Sequence, residues 1–223
     1  MTAIPTAARP KTPLGNVLVI GGCGFLGHHI VNLLVSSYNC KISVIDLFTS
    51  RNRRPDSDGV AYYDGDITSV SSLISIFEKI KPDVVIHTAS PNLVGANDAL
   101  YYKVNVEGTQ CVIEACQKTG VKALVYTSSA SVLSDTQSDL VNADERWPVI
   151  PPAAQIEYYS TTKVSSPCPH SDIKLIETGP SRSSCPCSKP LPKLINNLST
   201  ASRYIRARRC TMPSPNDGTC TTR

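Results

Sequence analysis

Tyr159 and Lys163 stand four residues apart in "YYSTTK" (158–163). On a helix that spacing puts both side chains on one face. A free tyrosine titrates near 10 and is a poor base at neutral pH. A lysine ammonium beside it favours the phenolate. The phenolate can then take the proton of a substrate alcohol while hydride leaves for a second reactant. Upstream, "YTSSAS" (126–131) supplies hydroxyls, and Ser129 or Ser128 could hold the substrate oxygen. Tyrosine–lysine pairs at this spacing are common by chance. The pair gains weight only from what precedes it in the chain.

What precedes it is "GGCGFLG" (21–27), which satisfies two glycine patterns at once. Gly22, Gly24 and Gly27 make G-x-G-x-x-G; Gly21, Gly24 and Gly27 make G-x-x-G-x-x-G. Glycines here let a strand turn sharply, let the backbone approach a pyrophosphate, and let a helix pack closely on a sheet. The helix that starts near Phe25 and Leu26 aims its unpaired N–H groups at the anion. Asp46 ends the next strand 19 residues after Gly27, the place for a carboxylate that accepts hydrogen bonds from an adenosine ribose. NAD is therefore the expected cofactor. Asp46 would repel a 2′-phosphate, while Arg51, Arg53 and Arg54 keep NADP open as the alternative. His28 and His29 follow the loop as packing or solvated residues. His87 is expected at the cofactor edge, with no carboxylate partner.

These residues need elements to hold them. "NVLVIGG" (16–22) is apolar on both faces, as a parallel strand covered by helices must be. "FLGHHIVNLLVSS" (25–37) has helical spacing, with Leu26, Ile30, Leu33 and Leu34 on one face. Strands follow at 41–47, 60–66, 83–90 and 122–129, with helices at 70–80 and 97–120, the latter closed by Gly120. Alternating strands and helices predict βαβ units and an α/β doubly wound parallel sheet. Residues 130–157 are expected as a loop.

Composition changes after Val164. Residues 165–223 hold 9 of the 22 Lys and Arg, 3 of the 18 Asp and Glu, and 8 of the 17 prolines. Few aliphatic residues remain there to offset the entropy of ordering. The expected organisation is a flexible segment at 1–15, a Rossmann domain at 16–164, and an irregular basic tail at 165–223. A short helix is expected at 191–200. Pro167 predicts that the helix of Tyr159 and Lys163 ends within about one turn of the lysine.

Nine cysteines cannot all pair within the chain. Cys23, Cys40, Cys111 and Cys116 fall in apolar or helical patterns, as in a reducing compartment. Cys168-Pro-His170 and Cys185-Pro-Cys187 lack zinc-site spacing, so no metal is expected. No signal peptide or spanning segment is evident. A cytoplasmic protein is the default. The basic stretch "RYIRARR" (203–209) leaves an anionic membrane or nucleic acid as a weaker possibility, and no nucleic-acid partner is expected.

Glycine loop, ribose carboxylate, "YTSSAS" and "YYSTTK" occur in register. With "VLVIGGCGFLGHHIV", "KVNVEGTQ" and "ALVYTSSASV", they make residues 16–164 resemble the extended short-chain dehydrogenase/reductases, in the 3β-hydroxysteroid dehydrogenase branch. The resemblance implies Tyr159 as base, Lys163 as modulator of its pKa and Ser129 as the substrate-orienting hydroxyl. It places Asp66 and Ile67 beside the adenine, lines the cofactor with Thr88, Ala89 and Ser90, and sets Asn105 behind the site. The implied reaction is NAD-dependent oxidation of the 3β-hydroxyl of a 4α-carboxysterol, with decarboxylation. The implied setting is the cytosol, with peripheral attachment to the endoplasmic reticulum or to other sterol enzymes as an open possibility. The family pattern stops near Val164, where further strands and a substrate lobe would follow. Truncation, or translation in a shifted frame beyond 164, is the expectation that this break motivates. A catalytically inactive dinucleotide-binding fragment and another extended reductase or sugar-nucleotide epimerase are the alternatives.

Overall fold

The computed structural model describes residues 11–91, 96–137, 139–144, 147–167, 173–177 and 207–211. Five parallel strands form its centre: β1 (Thr12–Ile20), β2 (Tyr38–Asp46), β3 (Ala61–Asp64), β4 (Val84–His87) and β5 (Ala123–Tyr126). Helices α1 (Phe25–Ser37), α2 (Val70–Ile80), α3 (Asp98–Tyr101), α4 (Thr109–Thr119) and α5 (Tyr158–Ser165) connect or cover them. The strand order is β3-β2-β1-β4-β5, then β6 (Ile173–Glu177) and β7 (Ala207–Thr211).

The apolar run of β1 is buried from both sides. Val17 and Val19 join the layer of α1, with Ile30, Val31 and Leu34. Leu18 and Ile20 join the opposite layer, with Leu73 and Phe77 of α2 and Val112 and Cys116 of α4. Full burial of Leu73 or Phe77 is worth about 1.5–3 kcal/mol each. The register aligns Ile20 with Ile45 and His87, and His87 with Tyr126. The C-terminal tips of β1, β2, β4 and β5 therefore lie side by side, where open α/β sheets bind ligands. At the other end, Asp83 accepts the Asn16 N–H at 2.8 Å and pairs with Lys122 at 2.5 Å. That joins the starts of β1, β4 and β5.

Three expectations need correction. First, β1 begins at Thr12 and not at Asn16, because β2 also starts early. Thr12 pairs with Tyr38, and a bulge at Gly15 (φ +73°) restores register. Second, the helix expected at 97–120 is not uniform. A π-helical segment, Tyr102–Gly108, separates α3 from α4. Third, the tail is not wholly irregular. β6 pairs antiparallel with β5, and β7 pairs parallel with β6. The segment "IKLIE" has the branched, apolar-rich lettering of a strand, although it is short and set among prolines. "ARRCT" has none, and its strand form follows from pairing with β6. The helix expected at 191–200 and the Cys168, Cys185 and Cys187 clusters lie outside the described residues.

Candidate active site

The glycine loop joins β1 to α1 and touches two neighbouring strands. Gly21 takes φ +79°, and a Cβ there would lie 2.7 Å from the Ala89 backbone nitrogen. A Cβ on Gly22 would lie 2.6 Å from a Val44 methyl. The loop thus needs glycine for left-handed backbone at Gly21 and for close approach at both positions. Gly24 N-caps α1, no side chain caps the helix, and no acidic residue occupies its first turn. Its leading N–H groups and positive dipole end remain available to an anion. Gly27 packs against Gly21 and Gly22. Leu26 packs on the α1 layer, whereas Phe25 is exposed and meets His29 edge-on at 4.8 Å.

Asp46 stands at the tip of β2, beside the loop. Its Oδ2 accepts the Cys23 N–H at 3.0 Å. Of the three arginines that could favour a 2′-phosphate, two are engaged. Arg54 pairs with Asp58 at 2.7 Å and donates to Asn32. Arg53 lies 4.5 Å over the Tyr62 ring and 3.6 Å from Asp56. A neutral ribose edge suits this arrangement. Asp66 is exposed and accepts from the Thr68 N–H and hydroxyl at 2.8 and 2.9 Å. Ile67 turns its side chain inward, against Gly108. The Thr88 hydroxyl donates to the Ile20 carbonyl at 2.8 Å and so ties β4 to β1.

Tyr159, Ser129 and Lys163 meet beyond the tips of β4 and β5. Ser129 caps the 3-10 turn Ala130–Leu133 by accepting the Ser131 N–H. Gln155 holds the following loop by donating to the Val132 and Ile150 carbonyls, each at 2.9 Å. Helix α5 then starts at Tyr158 and ends at Ser165. Ser166 is extended, as a residue before proline must be. Lys163 is 3% exposed. Its Nζ donates to the Thr127 carbonyl at 3.4 Å and lies 5.1 and 5.8 Å from the Tyr126 and Tyr159 ring centroids. A buried ammonium requires such partners.

The Ser129 and Ser90 side chains lie beside the Tyr159 hydroxyl. Burial pushes the Tyr159 phenol up from its ordinary value; the neighbouring Ser129 and Ser90 hydroxyls oppose the shift, and Tyr101 adds to it. Behind the tyrosine, Ser90 donates to Asn105 Oδ1 at 2.9 Å, and Asn105 Nδ2 donates to Thr162 Oγ1 at 3.0 Å. Thr162 in turn donates to the Tyr159 carbonyl at 2.8 Å. Asn105 belongs to the π-helical segment and is 1% exposed.

Sequence reasoning placed Asn105 and Ser90 near the site but not their links to each other or to Tyr159. It missed Thr162, whose signal is its position three residues after Tyr159. It also missed Tyr101, whose ring meets Tyr159 edge-on at 5.6 Å and for which no sequence signal stood out. His87 is not at an open edge. It is 1% exposed, with Nε2 3.2 Å from Thr109 Oγ1 and its ring 5.5 Å from that of Tyr126. Cys23, Cys40 and Cys111 are free thiols, and burial pushes Cys23 up to about 11. Among the described residues no cluster could hold a metal, and no helix is long and apolar enough to cross a membrane.

A doubly wound sheet with a glycine loop, a carboxylate on the next strand and a Ser–Tyr–Lys group at the strand tips defines a short-chain dehydrogenase/reductase type of site. The chain belongs to the 3-beta hydroxysteroid dehydrogenase/isomerase family, whose profile matches residues 18–167. It is 43% identical over 152 residues to the decarboxylating sterol-4-alpha-carboxylate 3-dehydrogenase of Schizosaccharomyces pombe, covering 68% of this chain and 43% of that protein. The Saccharomyces cerevisiae enzyme of the same name is 39% identical over 157 residues, covering 67% and 44%. The chain thus spans less than half the length of these relatives. Among solved structures, UDP-glucose 4-epimerase of Thermus thermophilus in complex with NAD superposes with a TM-score of 0.56 at 28% identity, covering 67% of this chain and 47% of that one. The Bordetella bronchiseptica enzyme WbmG, in complex with NAD and UDP, gives 0.56 at 26%, with the same coverage.

Proposed function

We propose that this chain carries the NAD-binding and acid–base half of a sterol dehydrogenase that oxidises the 3β-hydroxyl of a 4α-carboxysterol. The observation that carries this reading is the gathering of Tyr159, Lys163 and Ser129 at the sheet edge that holds the glycine loop, with Lys163 Nζ 5.8 Å from the Tyr159 ring centroid. The substrate class follows the names of the most similar relatives. NAD, when bound, supplies the hydride acceptor. The uncapped start of α1 would hold its pyrophosphate, Asp46 its adenosine ribose, and Gly21 and Gly22 the close backbone approach.

Ser129 is suited to donate to the substrate oxygen at C3. Tyr159 Oη takes the hydroxyl proton as C3 loses hydride. Lys163, over the ring face, favours the resulting phenolate. The product is a β-keto acid. Its C4–carboxyl bond breaks with the electron pair moving into the new ketone, and carbon dioxide leaves. Asn105, through Ser90 and Thr162, keeps the tyrosine oriented. The test is NADH absorbance with a 4α-carboxysterol. Tyr159→Phe should lower the rate by about 10²–10⁴-fold, whereas an unchanged rate would refute the assignment.

A second reading has one observation in its favour. Helix α5 is only eight residues long and ends at Ser165, two residues before Pro167. A helix that short depends on packing. On this reading the chain binds NAD without turnover. Saturable NAD binding together with no NADH formation would establish it.

A further inference from the structure

Residues 47–55 run from the tip of β2 back past the start of α1. Three contacts, each spanning more than twenty residues of sequence, pin this connection. Asn52 Nδ2 donates to the Cys23 carbonyl at 2.8 Å. His28 Nδ1 lies 2.7 Å from the Asn52 carbonyl and donates to it. Arg54 donates to Asn32 at 3.0 Å. Asn52 has a left-handed backbone, φ +50°. That conformation costs most residues about 1–2 kcal/mol, and asparagine tolerates it best among those with a side chain. Asn52 is exposed and belongs to neither core layer, so its contacts hold a loop rather than the core.

The atoms it holds are those of the glycine turn. The Cys23 carbonyl is taken by Asn52 and its N–H by Asp46. Both hydrogen-bonding groups of that residue are thereby tied to the β2 tip and the connection after it. Gly24, next in the chain, begins α1. We propose that Asn52, braced by His28, is a positioning residue for the dinucleotide. It sets the turn so that the first N–H groups of α1 stay aimed at a pyrophosphate while Asp46 stays at the ribose. The ligand named here rests on the NAD assignment above; the clamp itself does not.

Two measurements on the full chain test this: calorimetric titration with NAD, and amide exchange at Cys23 and Gly24 without ligand. Asn52→Gly keeps the left-handed backbone and removes the side chain. It should weaken NAD binding about five- to tenfold, the worth of one hydrogen bond, and speed exchange at both amides. Asn52→Asp sets a carboxylate oxygen against the Cys23 carbonyl and should weaken binding further. His28→Ala leaves Asn52 in place and should give a smaller change in the same direction; it decides the matter if the Asn52 variants do not fold. A purely structural role would lower the melting temperature and leave the NAD dissociation constant unchanged, and that result would overturn the proposal. If wild type binds no NAD, the cofactor assignment fails and amide exchange alone decides the clamp. Unchanged exchange in Asn52→Gly would then end it.

Discussion

His87 should make this protein acid-sensitive in a defined window. The imidazole is buried between β5 and α4, and its Nδ1 has no hydrogen-bond partner among the described residues. Burial, and secondarily the Lys163 charge, lower its pKa from 6.5 to about 3. The groups around it are Thr109 on α4, Tyr126 on β5 and Lys163 on α5; none is a carboxylate that could stabilise the cation. The unfolded chain takes up a proton near 6.5, whereas the folded chain does not until about 3. Stability is therefore full above 6.5 and falls as pH drops toward 3. Between pH 8 and pH 5 the loss is about 2 kcal/mol. Asp64 and Asp83, both lowered from ordinary carboxylate values, lose their contribution only at lower pH. Cys23, raised to about 11, acts only above pH 9. Urea unfolding of wild type and His87→Gln at pH 5, 6, 7 and 8 isolates the effect, because glutamine can bond Thr109 but does not titrate. The wild-type profile should slope by about 2 kcal/mol more than that of the variant. Parallel profiles would refute the reasoning.

Other outcomes follow from the same geometry. Gly27→Ala puts a Cβ against the Gly21 carbonyl and 2.7 Å from Gly22 Cα. It should cost about 1–3 kcal/mol, measured as a fall in melting temperature. In Gly24→Ala the nearest atom to the new Cβ is the Gly21 oxygen at 3.2 Å; this variant should fold normally and bind NAD more weakly by calorimetry. Asn105→Ala leaves Ser90 and Thr162 without their shared partner and should cost about 1–3 kcal/mol in urea unfolding, with a lower turnover rate.

Much of this was legible because parallel strands and glycine loops obey tight local rules. The run "VLVI" could only be a strand buried on both faces. Gly21 and Gly22 could only mark a turn pressed against its neighbours. Tyr159 and Lys163 share a helix face by spacing alone. What stayed hidden depends on long-range pairing. The π-helical segment has no composition signal, since Asn105 reaches Ser90 and Thr162 only once α5 has docked. The early start of β1 was hidden because Thr12 and Pro13 are strand residues only through β2. β7 exists through β6, not through its own letters.

The account rests on a dinucleotide seated between the glycine loop and Asp46. Calorimetric titration of the full chain with NAD and with NADP addresses this directly. Saturable NAD binding, at least about tenfold tighter than NADP, is the predicted result. Failure to bind NAD, or equal binding of NADP, would contradict it.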